Sequence, residues 1–452
     1  MRAPSLFRKI LIANRGEIAL RVIRACRELD IPTVAVYSLA DEHSLHVKLA
    51  DEAVCIGPAQ ARLSYLNIAN ILSAADITAA DAIHPGYGFL SENAEFARLC
   101  QECKITFIGP TAANIAALGE KTQARKIAKK AGIPLLPGTL EPVPHVEMAL
   151  VEAERIGYPV IVKAASGGGG RGIHIVYNAQ QLRGCFDRVS AEAAAAFGSS
   201  AMYLEKYCES PRHVEIQVLC DRHGNRMALG ERDCTIQRRH QKVLEESPSP
   251  IVTVSLRKAM ERAALKLCQA VDYENVGTVE FLVDNKDKRF YFMEMNTRIQ
   301  VEHPVTEMVT GIDLIKEQIF AAAGRALKKR DFVIQSHAIE CRINAEDSET
   351  FAPSPGKITG LHVPGGFGVR LDSFVYNQYR VLPYYDSMIA KLIVHAPTRD
   401  EAIAKMKQAL SEYVVEGIKT NIAFQKKILS SKKFKDADYD THFLEDVVPK
   451  YE

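Results

Sequence analysis

Three short stretches of the sequence hold the residues best suited to chemistry. The first is Val160 to Val176, in which Lys163 precedes Gly167-Gly168-Gly169-Gly170-Arg171-Gly172. Gly167, Gly169 and Gly172 formally meet G-x-G-x-x-G, but β-branched residues follow, so the context is strand, loop, strand rather than strand, loop, helix. Consecutive glycines let backbone N–H groups close on phosphate oxygens, and Lys163 and Arg171 bracket the loop with positive charge. A flap over a phosphate-bearing ligand is expected, against the plainer reading of a flexible hairpin tip.

The second stretch reads as a hairpin, Thr278 to Val283 and Arg289 to Asn296, around a charged turn. If Val283 pairs with Arg289, Glu280 faces Phe292 and lies diagonal to Glu294, and both carboxylates project from one face with Asn296. Such an all-oxygen set suits Mg²⁺. The competing reading, carboxylates on a solvated sheet face, is opposed by Phe281, Phe290 and Phe292, which argue for burial. The third stretch follows at once, Thr297-Arg298-Ile299-Gln300-Val301-Glu302-His303-Pro304. In an extended conformation Arg298, Gln300 and Glu302 share a face, offering an anion binder, a neutral donor and a carboxylate base to a small oxyanion. Spacing alone fits an exposed salt-bridged strand equally well; the neighbouring oxygen set gives the constellation its force. Arg238-Arg239-His240-Gln241-Lys242 adds a basic cluster that alone reads as a solvated face. Cys234 with His240 makes a weak thiol-nucleophile pair, unsupported by its spacing.

These residues need elements to hold them. From Ile10 to Ile108, short apolar runs (Ile10–Ala13, Thr33–Tyr37, Ala53–Ile56, Ala82–Ile83, Ile105–Ile108) alternate with helical patterns, including one from Tyr65 to Ala75 and one from Glu92 to Cys103. A parallel α/β sheet over residues 1–117 is expected. Only Gly16 occurs in the first strand–helix turn, so a nicotinamide-binding fingerprint is absent. No G-x-x-x-x-G-K-[ST], His-Arg-Asp or Asp-Phe-Gly occurs, which removes the Walker and protein-kinase architectures. Helical patterning from Thr111 to Ala131 leads to the linker Gly132 to Gly138, and a second region follows to about Gly324. After a basic stretch at Lys328–Arg330, a third region carries the strand-like Ala338–Ile343 and a helix pattern from Glu401 to Tyr413.

A length of 452 residues predicts about three domains. With 57 Lys+Arg against 55 Asp+Glu, 47% apolar and 25% charged residues, the chain is of ordinary globular composition; nucleic acid and membrane are not expected partners. No apolar run approaches the ~20 residues that span a bilayer, and no secretory signal opens the sequence, so a cytoplasmic setting is expected. The ten cysteines are scattered without metal spacing, and reduced thiols are expected.

Taken together, the sequence resembles the biotin carboxylases, members of the ATP-grasp superfamily. The resemblance runs along the whole chain: Ile12-Ala13-Asn14-Arg15-Gly16-Glu17-Ile18-Ala19, His84 to Asn93, Glu205-Lys206-Tyr207, Arg212 to Gln217, Gln237 to Lys242, Glu294 to Pro304, Glu340 to Asp347 and Pro383 to Met388. It implies mixed α/β and α+β architecture: an N-terminal parallel α/β domain (1–117), an ATP-grasp domain (118–324) with a mobile lid at about 137–207, and a C-terminal α+β domain (335–452).

By similarity, MgATP and bicarbonate would carboxylate biotin N1 through carboxyphosphate. Lys121 and Lys163 would hold phosphates under a flap that includes Gly169 and Gly170, and Glu205, Lys206, Tyr207, Cys208, His213 and His240 would hold the nucleoside. Glu280, Glu294 and Asn296 would bind Mg²⁺ or Mn²⁺; Lys242, Arg298, Gln300 and Val301 would hold bicarbonate, and Glu302 would act as base. Arg342 would stabilise the enolate-like ureido oxygen, with Tyr87 lining the biotin pocket. Implied partners are carboxyltransferase subunits and a biotin carboxyl carrier protein, expected as a separate chain. The resemblance also implies a homodimer with Arg21 and Arg370 near its contact. Acetyl-CoA carboxylase is the leading setting and pyruvate or propionyl-CoA carboxylase the alternative. The competing classes are a carbamoyl phosphate synthetase-like ligase and a non-catalytic nucleotide-binding protein.

Overall fold

The computed structural model describes residues 6–139, 141–164, 173–197, 202–328 and 332–447. Gly169, Gly170 and Arg171 of the glycine loop lie outside them. The N-terminal strands Glu52–Cys55, Thr33–Tyr37, Ile10–Ile12, Ala82–His84 and Thr106–Phe107 form, in that order, an all-parallel sheet. The central strands are buried on both faces, which is why they read as continuous apolar runs rather than alternating ones. Helix starts are set by side-chain caps. Asn93 accepts from Phe96 N, so the helix begins at Ala94 and Glu92 stays outside it, free to reach another region. The pattern from Thr111 to Ala131 forms two helices, Ala112–Gly119 and Lys121–Lys130, because Glu120 takes an extended conformation (φ −92°, ψ 117°).

An eight-stranded antiparallel sheet makes up the centre. Its order is Phe290–Asn296, Asn275–Asp284, Pro211–Cys220, Arg226–Arg238, Gln241–Ser247, His337–Asn344, Met388–Ala396, Val369–Ser373. The second and third regions of the sequence therefore share one sheet, joined where Leu244 pairs with Cys341 and Glu245 with Glu340. Helix Val254–Ala270 covers the Phe281 and Phe292 side, and helix Arg399–Glu412 covers the Leu392 and Val394 side. Lys405 and Met406 belong to the latter helix, where Met406 is buried and Lys405 Nζ donates to His395 O at 2.7 Å. A separate three-stranded sheet, Ile173–Val176, Val160–Ala164 and Met202–Lys206, is backed by helices Val146–Ile156 and Ala179–Phe197. Among the described residues no helix is long and apolar enough to cross a membrane.

The seam of the large sheet is held electrostatically at Glu246. This buried carboxylate accepts from Arg399 Nε (2.7 Å) and Tyr439 Oη (2.6 Å), and His337 Nε2 lies 2.7 Å away. Burial alone would raise its pKa, but Arg399 and His337 hold it well below the usual carboxylate range. A depressed folded-state pKa adds stability that is fully present above the unfolded value, about 4.3 for Glu, and is lost as pH falls below it. Glu246→Gln is expected to cost about 3–5 kcal/mol at neutral pH. Thermal melts over an acid series should show the variant losing less stability than wild type as pH falls through that window.

Candidate active site

A cavity of about 910 Å³ opens between the three-stranded sheet and the large one. Glu205, Lys206, Tyr207, Cys208, His213 and His240 all line it, with apolar walls from Ile161, Leu282 and Met293. Lys206 Nζ donates to the carbonyls of Gly157 (3.0 Å) and Tyr158 (2.7 Å), which fixes the strand end. Tyr207 Oη lies 3.3 Å from His442 Nε2, and Cys208 Sγ lies 3.5 Å from Asp284. Glu205 accepts from both Arg125 and Lys163. Desolvation lowers the Lys163 pKa against the pull of Glu205, so this ammonium favours a further anion beside it. Arg239 and His240 both have left-handed backbone (φ 50° and 64°), forming the two-residue turn that returns the chain to Lys242.

Next to this cavity is the oxygen face. The hairpin register differs from simple pairing: Val283 opposes Phe290, and an irregularity between Glu280 and Phe281 leaves Met293 as an extra residue, placing Glu280 directly opposite Glu294. The two carboxylates are therefore closer neighbours than the diagonal expected from the sequence. Two cations offset their repulsion, Lys121 Nζ at 2.8 Å from Glu294 and Lys242 Nζ at 3.0 Å from Glu280. Glu280 also accepts from Asn296 Nδ2 (2.8 Å) and Gln300 Nε2 (3.1 Å), with His213 Nε2 at 3.2 Å. Burial would raise the Glu280 pKa, yet Lys242 and His213 hold it well below its usual value. Two carboxyl side chains and an amide side chain on one face are a hard-oxygen donor set that fits Mg²⁺.

Residues 297–304 are not extended. They bend after Asn296 and turn at Val301-Glu302, where Glu302 (φ −81°, ψ 10°) caps helix His303–Thr310 and Pro304 occupies its first turn. Bending gives the expected trio different direct partners, although Arg298 still feels the Glu302 charge. Gln300 Oε1 and Glu302 Oε1 both accept from Lys242 Nζ, at 3.0 and 2.6 Å, whereas Arg298 Nε donates to Glu92 at 2.8 Å. Glu92 also accepts from the Thr297 backbone at 3.0 Å. It stands in the His84 to Asn93 block, but only the spatial approach of the N-terminal domain reveals its part. Val301 contributes its carbonyl, which accepts from Lys391 Nζ at 2.8 Å.

Glu302 lies between two cations, with Oε1 toward Lys242 and Oε2 accepting from Arg342 Nη2 at 3.0 Å. Burial would raise its pKa; Lys242, Arg342 and Arg232 hold it far below the carboxylate range. Arg342 in turn donates from Nε to Glu245 at 2.6 Å. Lys242, Val301, Arg342 and Tyr87 line a second cleft of about 420 Å³, which Arg238 and Phe351 separate from the nucleotide-sized cavity by lining both. Tyr87 is set between Gly86 and Gly88 (φ 62° and 70°), and a Cβ at Gly86 would come within 2.9 Å of Asn14 Nδ2. That amide clamps the turn by donating to Pro85 O and Tyr87 O, each at 2.7 Å. Cys234 approaches Glu302 (3.8 Å), and burial with the Glu215 charge pushes its thiol well above the usual range, which opposes a nucleophilic role.

Three family models match successive parts of the chain. They are the biotin carboxylase N-terminal domain over 6–115, the carbamoyl-phosphate synthase L chain ATP-binding domain over 120–330, and the biotin carboxylase C-terminal domain over 340–446. Biotin carboxylase 1 of Bacillus subtilis is 57% identical over 443 residues, 97% of this chain and 98% of that relative. The chain belongs to the biotin carboxylase family. Members are ATP-dependent ligases of the ATP-grasp class, and the fold described above is theirs. A pyruvate carboxylase subunit of Methanothermobacter thermautotrophicus is 53% identical, covering 98% of this chain and 90% of that one. The biotin carboxylase domain dimer of Hydrogenobacter thermophilus 2-oxoglutarate carboxylase, solved with MgADP, ADP and bicarbonate, is 48% identical, with a TM-score of 0.90 over 99% of both chains.

Proposed function

We propose that this biotin carboxylase works within an acetyl-CoA carboxylase, carboxylating biotin on a carrier protein that a carboxyltransferase then discharges. The observation that carries the catalytic part is the convergence of Lys242, Glu302 and Arg342 between a nucleotide-sized cavity and a second cleft. ATP occupies the larger cavity, with Glu205 to Cys208, His213 and His240 around the nucleoside and Lys121 and Lys163 at the phosphates. Mg²⁺ would be held by Glu280, Glu294 and Asn296 and would supply charge neutralisation at the phosphates.

Bicarbonate binds at Lys242, Arg298, Gln300 and Val301, where Glu302 accepts its proton. As bicarbonate engages Lys242 and biotin engages Arg342, both cations hold the Glu302 pKa down less strongly, and its basicity rises when a base is needed. Bicarbonate then attacks the γ-phosphate to give carboxyphosphate and ADP. Breakdown yields CO₂ and phosphate, the phosphate takes the biotin N1 proton, and the deprotonated N1 attacks CO₂ to form the N–C bond, with Arg342 stabilising the ureido oxygen and Tyr87 lining the ring's cleft. The Hydrogenobacter domain, solved as a dimer with bicarbonate, supports bicarbonate as a substrate and a homodimer.

The test is ADP formation by the purified protein with MgATP, bicarbonate and free biotin. Turnover should depend on bicarbonate, rise with biotin and yield carboxybiotin; ATP hydrolysis indifferent to biotin would overturn the reading. The Methanothermobacter relative favours a second setting, a pyruvate carboxylase. Reconstitution with the co-purifying carrier and transferase distinguishes the two by whether malonyl-CoA or oxaloacetate forms.

A further inference from the structure

Behind Arg342 the large sheet buries more acid than the reaction scheme uses. Glu340 lies on strand His337–Asn344, fully buried, and pairs across the sheet with Glu245, itself fully buried. The groups facing it come from every neighbouring element: Arg342 on its own strand, Glu245 on Gln241–Ser247, Lys391 on Met388–Ala396, Glu302 ahead of helix His303–Thr310, and Tyr87 from the N-terminal domain. The cations among them are engaged elsewhere. Arg342 donates to Glu245 and Glu302, and Lys391 Nζ donates to Val301 O (2.8 Å) and lies 3.1 Å from Glu17. Among the described residues, both carboxyl oxygens of Glu340 are without a hydrogen-bond partner.

A buried carboxylate that no protein donor reaches is far costlier than the neutral acid. We propose that Glu340 is a positioning residue that keeps its proton in the working enzyme, so that Arg342 answers to two carboxylates instead of three and keeps its positive field toward the cleft. This role rests on the reading that Arg342 serves the biotin step. Ionised Glu340 would compete with the developing ureido oxygen for the guanidinium. Burial drives its carboxyl pKa well above the usual value, with Lys391 opposing and Glu245 reinforcing the shift. Glu245, pushed up to about 7 by burial against Arg342, is the other candidate for the proton, but it receives the guanidinium's bonds and Glu340 receives none.

Infrared difference spectra at neutral pH decide where the proton sits. Glu340→Gln should remove one carboxylic-acid carbonyl band that Glu245→Gln retains; a band lost in Glu245→Gln instead, or in neither variant, overturns the proposal. Folding that retains a proton on Glu340 makes stability fall as pH rises above the unfolded Glu value, so the Tm of Glu340→Gln should fall less steeply with pH than that of wild type; equal slopes count against the proposal. In the functional arm, Glu340→Ala, which is as uncharged as the acid but leaves a void in the buried sheet beside Arg342, should lower kcat/KM for free biotin with the KM for ATP retained, and the shape-preserving Glu340→Gln should rescue it. A cooperatively melting Gln variant as impaired as Ala would show that an ionised carboxylate is required. If the wild type ignores biotin altogether, the biotin reading fails, while spectrum and melting slope still decide the protonation of Glu340.

Discussion

In the Glu302→Gln variant, bicarbonate-dependent ADP formation should fall by about 10²–10⁴-fold, the contribution typical of a positioned general base. The amide preserves shape and one acceptor oxygen toward Lys242, so the lesion is confined to charge and basicity. Nucleotide affinity should be retained, because the residues lining the larger cavity do not include Glu302. Equilibrium binding of an ATP analogue alongside steady-state ADP release separates the two effects. Wild-type turnover in Glu302→Gln would remove this residue from proton transfer. Since the variant leaves Lys242 and Arg342 without their shared carboxylate, a thermal melt is the control for folding.

Arg342→Ala should produce a different pattern. Carboxybiotin formation is expected to drop by about 10²–10³-fold, as when a preorganised charge at a developing oxyanion is removed. Bicarbonate-dependent ATP cleavage without biotin should fall much less, because Lys242, Gln300 and Glu302 keep their mutual contacts. The ratio of carboxybiotin to ADP is therefore the diagnostic measurement. Equal losses in both would place Arg342 in the phosphoryl-transfer step. Part of any loss in stability belongs to Glu245, which would be left buried without its guanidinium.

Much of the fold is legible in the sequence because it depends on local pattern. Alternating apolar runs and helical spacing in the first hundred residues correspond to the parallel sheet, with boundary errors where caps act, as at Asn93. The strands Val160–Ala164 and Ile173–Val176 on either side of the glycines are legible for the same reason, as β-branched residues form them. The hairpin is recognisable but its register is not, because an irregularity at Met293 has no strong sequence signal. Likewise, alternation from Arg298 to Glu302 suggests a strand, and the turn ahead of Pro304 overrides it.

By itself the sequence determined the family and the kinds of chemical group present, since each follows from residue identity and short-range order. Only the tertiary structure decided which groups meet. Lys242, Glu302 and Arg342 come from three separate segments; Glu92 reaches Arg298 from the N-terminal domain; and Glu245 faces Glu340 because two regions complete one sheet. The physical reason is that charge interactions depend on distance and burial, not on chain order. A basic run that reads as a solvated face becomes, once Lys242 is enclosed by four oxygen-bearing side chains, the cation on which the site is organised.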